Sequence, residues 1–102
     1  YAYAMRAEFV KEMHSELATI NKALEQLVAE VESSKNAAKA EAKTKVQALR
    51  DKAAQLRAEL EKINDAQESR WDQVKSGFKK SYDELKQSVA ATRRWVSEKI
   101  AP

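Results

Sequence analysis

Cysteine is absent from this 102-residue sequence, which holds one glycine, one proline, one histidine and seven aromatic residues. Each shortage excludes something. Without cysteine there is no disulfide, no thiolate nucleophile and no zinc–thiolate site. With one glycine and one proline, the tight turns of a sheet are missing, and an all-β fold is excluded. The longest stretch free of charged side chains is six residues, Gln87 to Thr92, where a membrane-spanning helix needs about 20 apolar residues.

What is present is helix-forming. Ala, Glu, Lys, Leu and Gln dominate, and 34% of the residues are charged, with 19 Lys+Arg against 16 Asp+Glu. This composition points to long helices or a coiled coil in a single domain, 1–102. The charge is uneven: residues 1–33 are net acidic, and both 34–66 and 67–102 are net basic. One reading places an acidic helix beside two basic ones in a bundle. The other is a basic surface for nucleic acid or anionic lipid. Against nucleic acid, acidic residues are interleaved throughout and no basic cluster exceeds two in a row, as at Lys79-Lys80 and Arg93-Arg94.

Hydrophobic periodicity divides the chain into three. The first stripe is Phe9, Met13, Leu17, Ile20, Leu24, Val28, Val31, with Leu27 widening it. Steps of three and four hold one helix face. It lapses at Ser33–Asn36, where serine and asparagine favour turns and caps. Residues 37–43 then form helix readily but offer little to bury. The second stripe, Val46, Leu49, Ala53, Leu56, Leu60, Ile63, is a heptad seam. A second connection falls at Asn64–Ser69, with Asp65 and Glu68 at capping-box spacing and Ser69 a rival cap. The third stripe is Trp71, Val74, Phe78, Tyr82, Leu85, Val89, Val96, Ile100, with an 11-residue recurrence broken by Arg93. Gly77 interrupts this helix; the expected reason is close approach of a neighbouring helix, and a hinge is the alternative. Pro102 ends the chain.

The expected helices are therefore about 5–33, 37–63 and 66–100, each roughly 40–50 Å long at 1.5 Å per residue. Every stripe must meet another to survive in water. The all-α solution within one chain is an elongated antiparallel three-helix bundle. The alternative fuses two segments into a long helical hairpin that pairs as a dimeric four-helix bundle.

Candidate chemistry is sparse. With one histidine and no cysteine, the parts of a nucleophilic site are missing, and the chain is expected not to be an enzyme. His14 has Val10, Lys11, Leu17 and Ala18 at helical ligand spacings, so no metal pair forms there. Met5 and Met13 beside it would suit a soft metal, but Met13 lies in the core stripe. No cofactor, metal or small-molecule substrate is expected. The like-charged ladder Glu8, Glu12, Glu16 is expected to face the basic segments. Trp71 lies on the core stripe. Trp95 lies at its edge after Arg93-Arg94, where a ring half in water suits a partner groove or a membrane interface.

The segment Trp71-Asp72-x-Val74-Lys75-x-Gly77, followed by Tyr82-Asp83-x-Leu85, resembles the C-terminal signature of small bacterial coiled-coil proteins. These are often exported, some as envelope lipoproteins, and their function is largely unassigned. The opening Glu8-Phe9-Val10 and the ending Trp95-Val96-Ser97-Glu98-Lys99 fit the same pattern. The resemblance implies the bacterial periplasm or cell envelope, and a start at Tyr1 fits a trimmed or mature form. A lipoprotein of this kind carries its lipidated cysteine upstream of such a start. The resemblance implies no catalytic residues. A looser similarity links residues 71–100 to lipid-surface proteins built from 11-residue amphipathic repeats.

Three functions follow as expectations. The first is a non-enzymatic structural or interaction module presenting charged helical faces, with Trp95, Arg93 and Arg94 at the contact, to a protein partner (self or other). The second is a lipid-surface protein that lays helix 71–100 on an interface. The third is a chaperone-like holdase.

Overall fold

The structure, a computed structural model, describes residues 1–100; the expected role of Pro102 falls outside the described residues. The three stripes become three helices: α1 spans Arg6–Glu32, α2 Lys39–Ile63 and α3 Trp71–Lys99. Short 3-10 turns, Tyr3–Met5 and Glu68–Arg70, lead into α1 and α3. The described residues contain no strand. The helices pack up-down-up into an antiparallel bundle measuring 51 × 17 × 16 Å, so the molecule is a rod. Both junctions break, which rules out the fused hairpin within this chain.

The core is one apolar column drawn from all three helices. On α1, Phe9, Met13, Leu17, Ile20, Leu24, Leu27 and Val31 are buried. Leu27 rather than Val28 continues the column, because 24, 27 and 31 keep the three-four alternation; Val28 is half-buried at the flank. On α2, Val46, Leu49, Ala53, Leu56, Leu60 and Ile63 are buried, as is Ala42. Alanine at position 42 extends the seam into a segment whose lack of large side chains hid it. On α3, Trp71, Phe78, Tyr82, Leu85, Val89 and Val96 are buried, as is Ile100 just past its end. Val74 departs from the expected core. It is only half-buried, because it sits at the edge of the α2–α3 seam. Among the described residues no polar or charged side chain is buried.

Neither junction has a Gly or Pro; side chains make the turns instead. In the first, Asn36 Oδ1 accepts the Ala38 N–H (2.8 Å) and Ser34 Oγ accepts the Asn36 N–H (3.0 Å). Asn36 Nδ2 also donates to the Lys99 carbonyl (2.8 Å), lashing the turn to the end of α3. In the second, the expected caps do not form: no side chain caps either the 3-10 turn or α3. Ser69 is inside the 3-10 turn, and the Asp65 N–H instead closes a turn on the Lys62 carbonyl. The N-terminal segment holds this turn. The Tyr3 hydroxyl donates to the Ala66 carbonyl (3.0 Å) and Arg6 Nε to the Asn64 carbonyl (3.1 Å).

The same end carries an aromatic cluster. Phe9 meets Trp71 and Phe78 edge-on, at centroid distances of 5.5 and 6.1 Å. Tyr1 and Tyr3 close over Phe9 and Trp71 in the same geometry. The Trp71 indole N–H donates to the Tyr1 carbonyl (2.9 Å), which satisfies a polar atom on a ring that is 2% exposed.

Gly77 does not meet the expected neighbour. A methyl group built there touches nothing within 4 Å, so no helix of this chain approaches it. Its backbone is ordinary helix, with no positive φ. Glycine at an interior helical position costs about 1 kcal/mol relative to alanine, and nothing inside the bundle recovers it.

Candidate functional site

The residues singled out for contact lie on the last turns of α3. Arg93 and Arg94 are exposed and make no ion pair among the described residues. Trp95 is half-buried, packed against the core edge. Lys45 of α2 lies over its ring, with Nζ 5.1 Å from the centroid. An ammonium over an indole face is attractive, by about 0.5–1 kcal/mol at an exposed site. The two arginines therefore point to water while the tryptophan is drawn back toward α2. The patch is a cationic rim around one partly covered ring.

Nearby, Lys43 and Glu32 bridge α2 and α1 at 3.0 Å. The Lys43 hydrogen bond and charge hold the Glu32 carboxyl below the usual carboxylate range. Both side chains are about half exposed, so the pair is screened and contributes little.

The acidic ladder does not find basic partners. Glu8 and Glu12 are exposed, and Glu16 is half-buried on α1. Glu16 faces Tyr82 of α3, whose phenol is pushed above its ordinary pKa first by burial and then by the Glu16 and Asp83 charges. The ion pairs among the described residues are Glu32–Lys43 and Asp72–Lys75. Opposite net charges on the segments therefore act as a diffuse field rather than as contacts. His14 is half-buried on α1. Among the described residues, no three His, Asp or Glu side chains converge as ligands for a metal.

One surface feature was invisible as a site in the sequence. Between the end of α2 and the start of α3 runs a shallow groove of about 570 Å³. Ile63, Val74, Gly77 and Phe78 line its floor. Its only sequence signal was the glycine, because the groove exists where α3 carries no side chain. Elsewhere little apolar surface shows: Tyr1 and Met5 are the exposed large hydrophobic residues among those described. No helix is long and apolar enough to cross a membrane among the described residues.

No protein-family model matches the chain, and neither any curated protein nor any solved structure does. The class it enters is set by its own geometry: a slender antiparallel three-helix bundle with an apolar core and a charged surface.

Proposed function

We propose that the protein is a non-enzymatic helical interaction module, a rod that presents charged faces to a protein partner, with Trp95, Arg93 and Arg94 at the contact. One observation carries this reading. The three helices consume nearly all the large apolar side chains in a continuous core, and what remains outside is long and charged, with only shallow, open grooves. Binding pockets for small molecules are concave and mostly apolar. A rod of this shape instead offers helix faces and a few aromatic or arginine anchors, the residues enriched at interface hot spots.

The resemblance to exported bacterial coiled-coil proteins supports the cell envelope as the place of action, and a cysteine-free chain tolerates an oxidising compartment. The lipid-surface alternative would require the bundle to open, since the apolar face of α3 is turned inward. The holdase alternative has the same requirement.

The test uses Trp71→Phe, which leaves Trp95 as the only indole. Its emission is recorded with and without vesicles of anionic lipid, alongside far-UV circular dichroism. The interaction reading expects an unchanged spectrum over an unchanged helical content. It also expects that a photo-crosslinking residue in place of Trp95 captures a discrete protein in the native cell, and that Arg93→Glu with Arg94→Glu abolishes the capture. A vesicle-dependent blue shift would overturn it in favour of the lipid surface.

A further inference from the structure

We infer that residues 1–5 are a strap that opens as a unit while the three-helix bundle stays folded, uncovering Trp71 and Phe9 and releasing the α2–α3 turn in the same step. The inference goes beyond the interaction reading. The strap lies at the opposite end of the rod from Trp95, so the test at Trp95 stands apart from it.

The first ground is an imbalance of burial. The strap adds nothing to the interior: no residue of its 3-10 turn is buried, and Tyr1 and Met5 are 47% and 45% exposed. What it covers is interior, with Phe9 1% and Trp71 2% exposed. The Tyr1 ring stands edge-on to Phe9 at 5.6 Å, and the Tyr3 ring edge-on to Trp71 at 6.2 Å. A segment with few buried contacts of its own opens at a lower free energy than the core it covers.

The second ground is a hinge. Between the 3-10 turn and α1 the Met5 backbone leaves helical geometry (φ −103°, ψ 18°), and no side chain caps α1 there. The turn is closed by its own bond, from the Met5 N–H to the Ala2 carbonyl (2.9 Å). The strap is therefore a short closed piece joined to α1 through one non-helical residue, and it swings without unwinding the helix.

The third ground is what the strap holds. The Tyr1 carbonyl accepts from the Trp71 indole N–H (2.9 Å) and from Lys75 Nζ (2.8 Å). The Tyr3 hydroxyl donates to the Ala66 carbonyl of the α2–α3 turn. Arg6, just past the hinge, donates to the Asn64 carbonyl of the same turn and to the Tyr3 carbonyl (3.1 Å), and its guanidinium lies 4.1 Å over the Tyr3 ring. One element thus grips the aromatic cluster and a junction whose helix start has no side-chain cap. Release of the strap frees both, so two separate changes become one event. Closed, this end of the rod hides its indole; open, it presents a tryptophan, a side chain enriched at interface hot spots. Whatever captures the strap shifts the equilibrium to the open state.

The experiment is native-state hydrogen exchange by NMR on the full chain. The Trp71 indole N–H and the Asp65 and Ala66 amides should exchange through one opening with a common constant. That constant should exceed the one for the Leu56 and Leu60 amides of the core by at least about tenfold. Tyr3→Phe removes a bond at the turn only, yet should raise exchange about fivefold at the Trp71 indole as well. Lys75→Met removes a bond at Tyr1 only, yet should raise exchange at Ala66 by a similar factor. Leu56 and Leu60 should not change in either variant. In a Trp95→Phe background, Tyr3→Ala with Arg6→Gln should let acrylamide quench Trp71 while far-UV circular dichroism keeps its helical content. Exchange of the indole and Ala66 only together with Leu56, in global unfolding, would overturn the inference. So would effects of Tyr3→Phe and Lys75→Met confined to their own contacts, or loss of helical content in the quenching variant.

Discussion

Leu60 provides the sharpest check on the bundle. Its side chain is fully buried, 0% exposed, near the C-terminal end of α2, the helix that packs against both others. Leu60→Ala removes three carbons. At about 0.8 kcal/mol per buried methylene this loses roughly 2.4 kcal/mol of transfer free energy. The surrounding residues come from three rigid helices and collapse only partly, so a cavity term is added. The expected total is about 3–4 kcal/mol, inside the usual range of 2–5 for such truncations. For a chain of this length the unfolding entropy is about 0.2 kcal/mol/K, so the melting temperature should fall by about 15 °C. Val28→Ala is the internal control. Val28 is half-buried on the flank of α1, and its truncation should cost about 1 kcal/mol or less. Urea unfolding followed by far-UV circular dichroism gives both values, provided the slope with denaturant stays constant. Equal midpoints for the two variants would refute the placement of Leu60 in the core column with Val28 on its flank.

Three further outcomes are expected. Single-tryptophan variants should differ: Trp71, alone in Trp95→Phe, should emit to the blue and resist quenching by acrylamide, whereas Trp95, alone in Trp71→Phe, should be redder and quenched; identical quenching would contradict the placement of both rings. In alkaline absorbance titration Tyr82 should ionise later than a free tyrosine, because burial first, and then the Glu16 and Asp83 charges, push its phenol up. Since the raised folded-state pKa keeps the proton on, this stability is fully present below about pH 10 and is lost as pH rises through the folded value. Tyr82→Phe should remove the late phase, and its persistence would assign that phase elsewhere. Asn36→Ala breaks the lash to Lys99 and the turn bond to Ala38, and should lower stability by about 1–2 kcal/mol in chemical denaturation, with Lys35→Ala as the neutral comparison.

The helices were legible because their signal is periodic. Seven buried positions on each of α1 and α2 recur at three and four residues, and such spacing survives any uncertainty about what packs against it. Alanine was harder. Ala42 and Ala53 are equally buried, but only Ala53 falls between large apolar neighbours in the heptad. Helix ends were located through serine and asparagine, yet the expected caps at Asp65 and Ser69 did not form. That junction is held by Tyr3 and Arg6, about sixty residues away, and local sequence holds no trace of a long-range hydrogen bond. Gly77 shows the same limit from the other side. The sequence marks it as unusual, and only the three-dimensional surroundings show that no helix of the same chain fills the space. The expected ladder contacts of Glu8 and Glu12 failed because net charge per segment carries no information about which side chains face one another.

Among the described residues no polar or charged side chain is buried, so the middle of the rod carries no specific register mark. The contacts that fix which turn sits beside which helix end are Tyr3–Ala66 and Arg6–Asn64 at one end, and Asn36–Lys99 at the other. Length and end chemistry are therefore separable. Inserting one matched heptad into the middle of each helix would lengthen the rod by about 10 Å and leave every end contact in place. The molecule is built like a spacer, whose reach can be reset in steps of two helical turns without redesigning what sits at its tips.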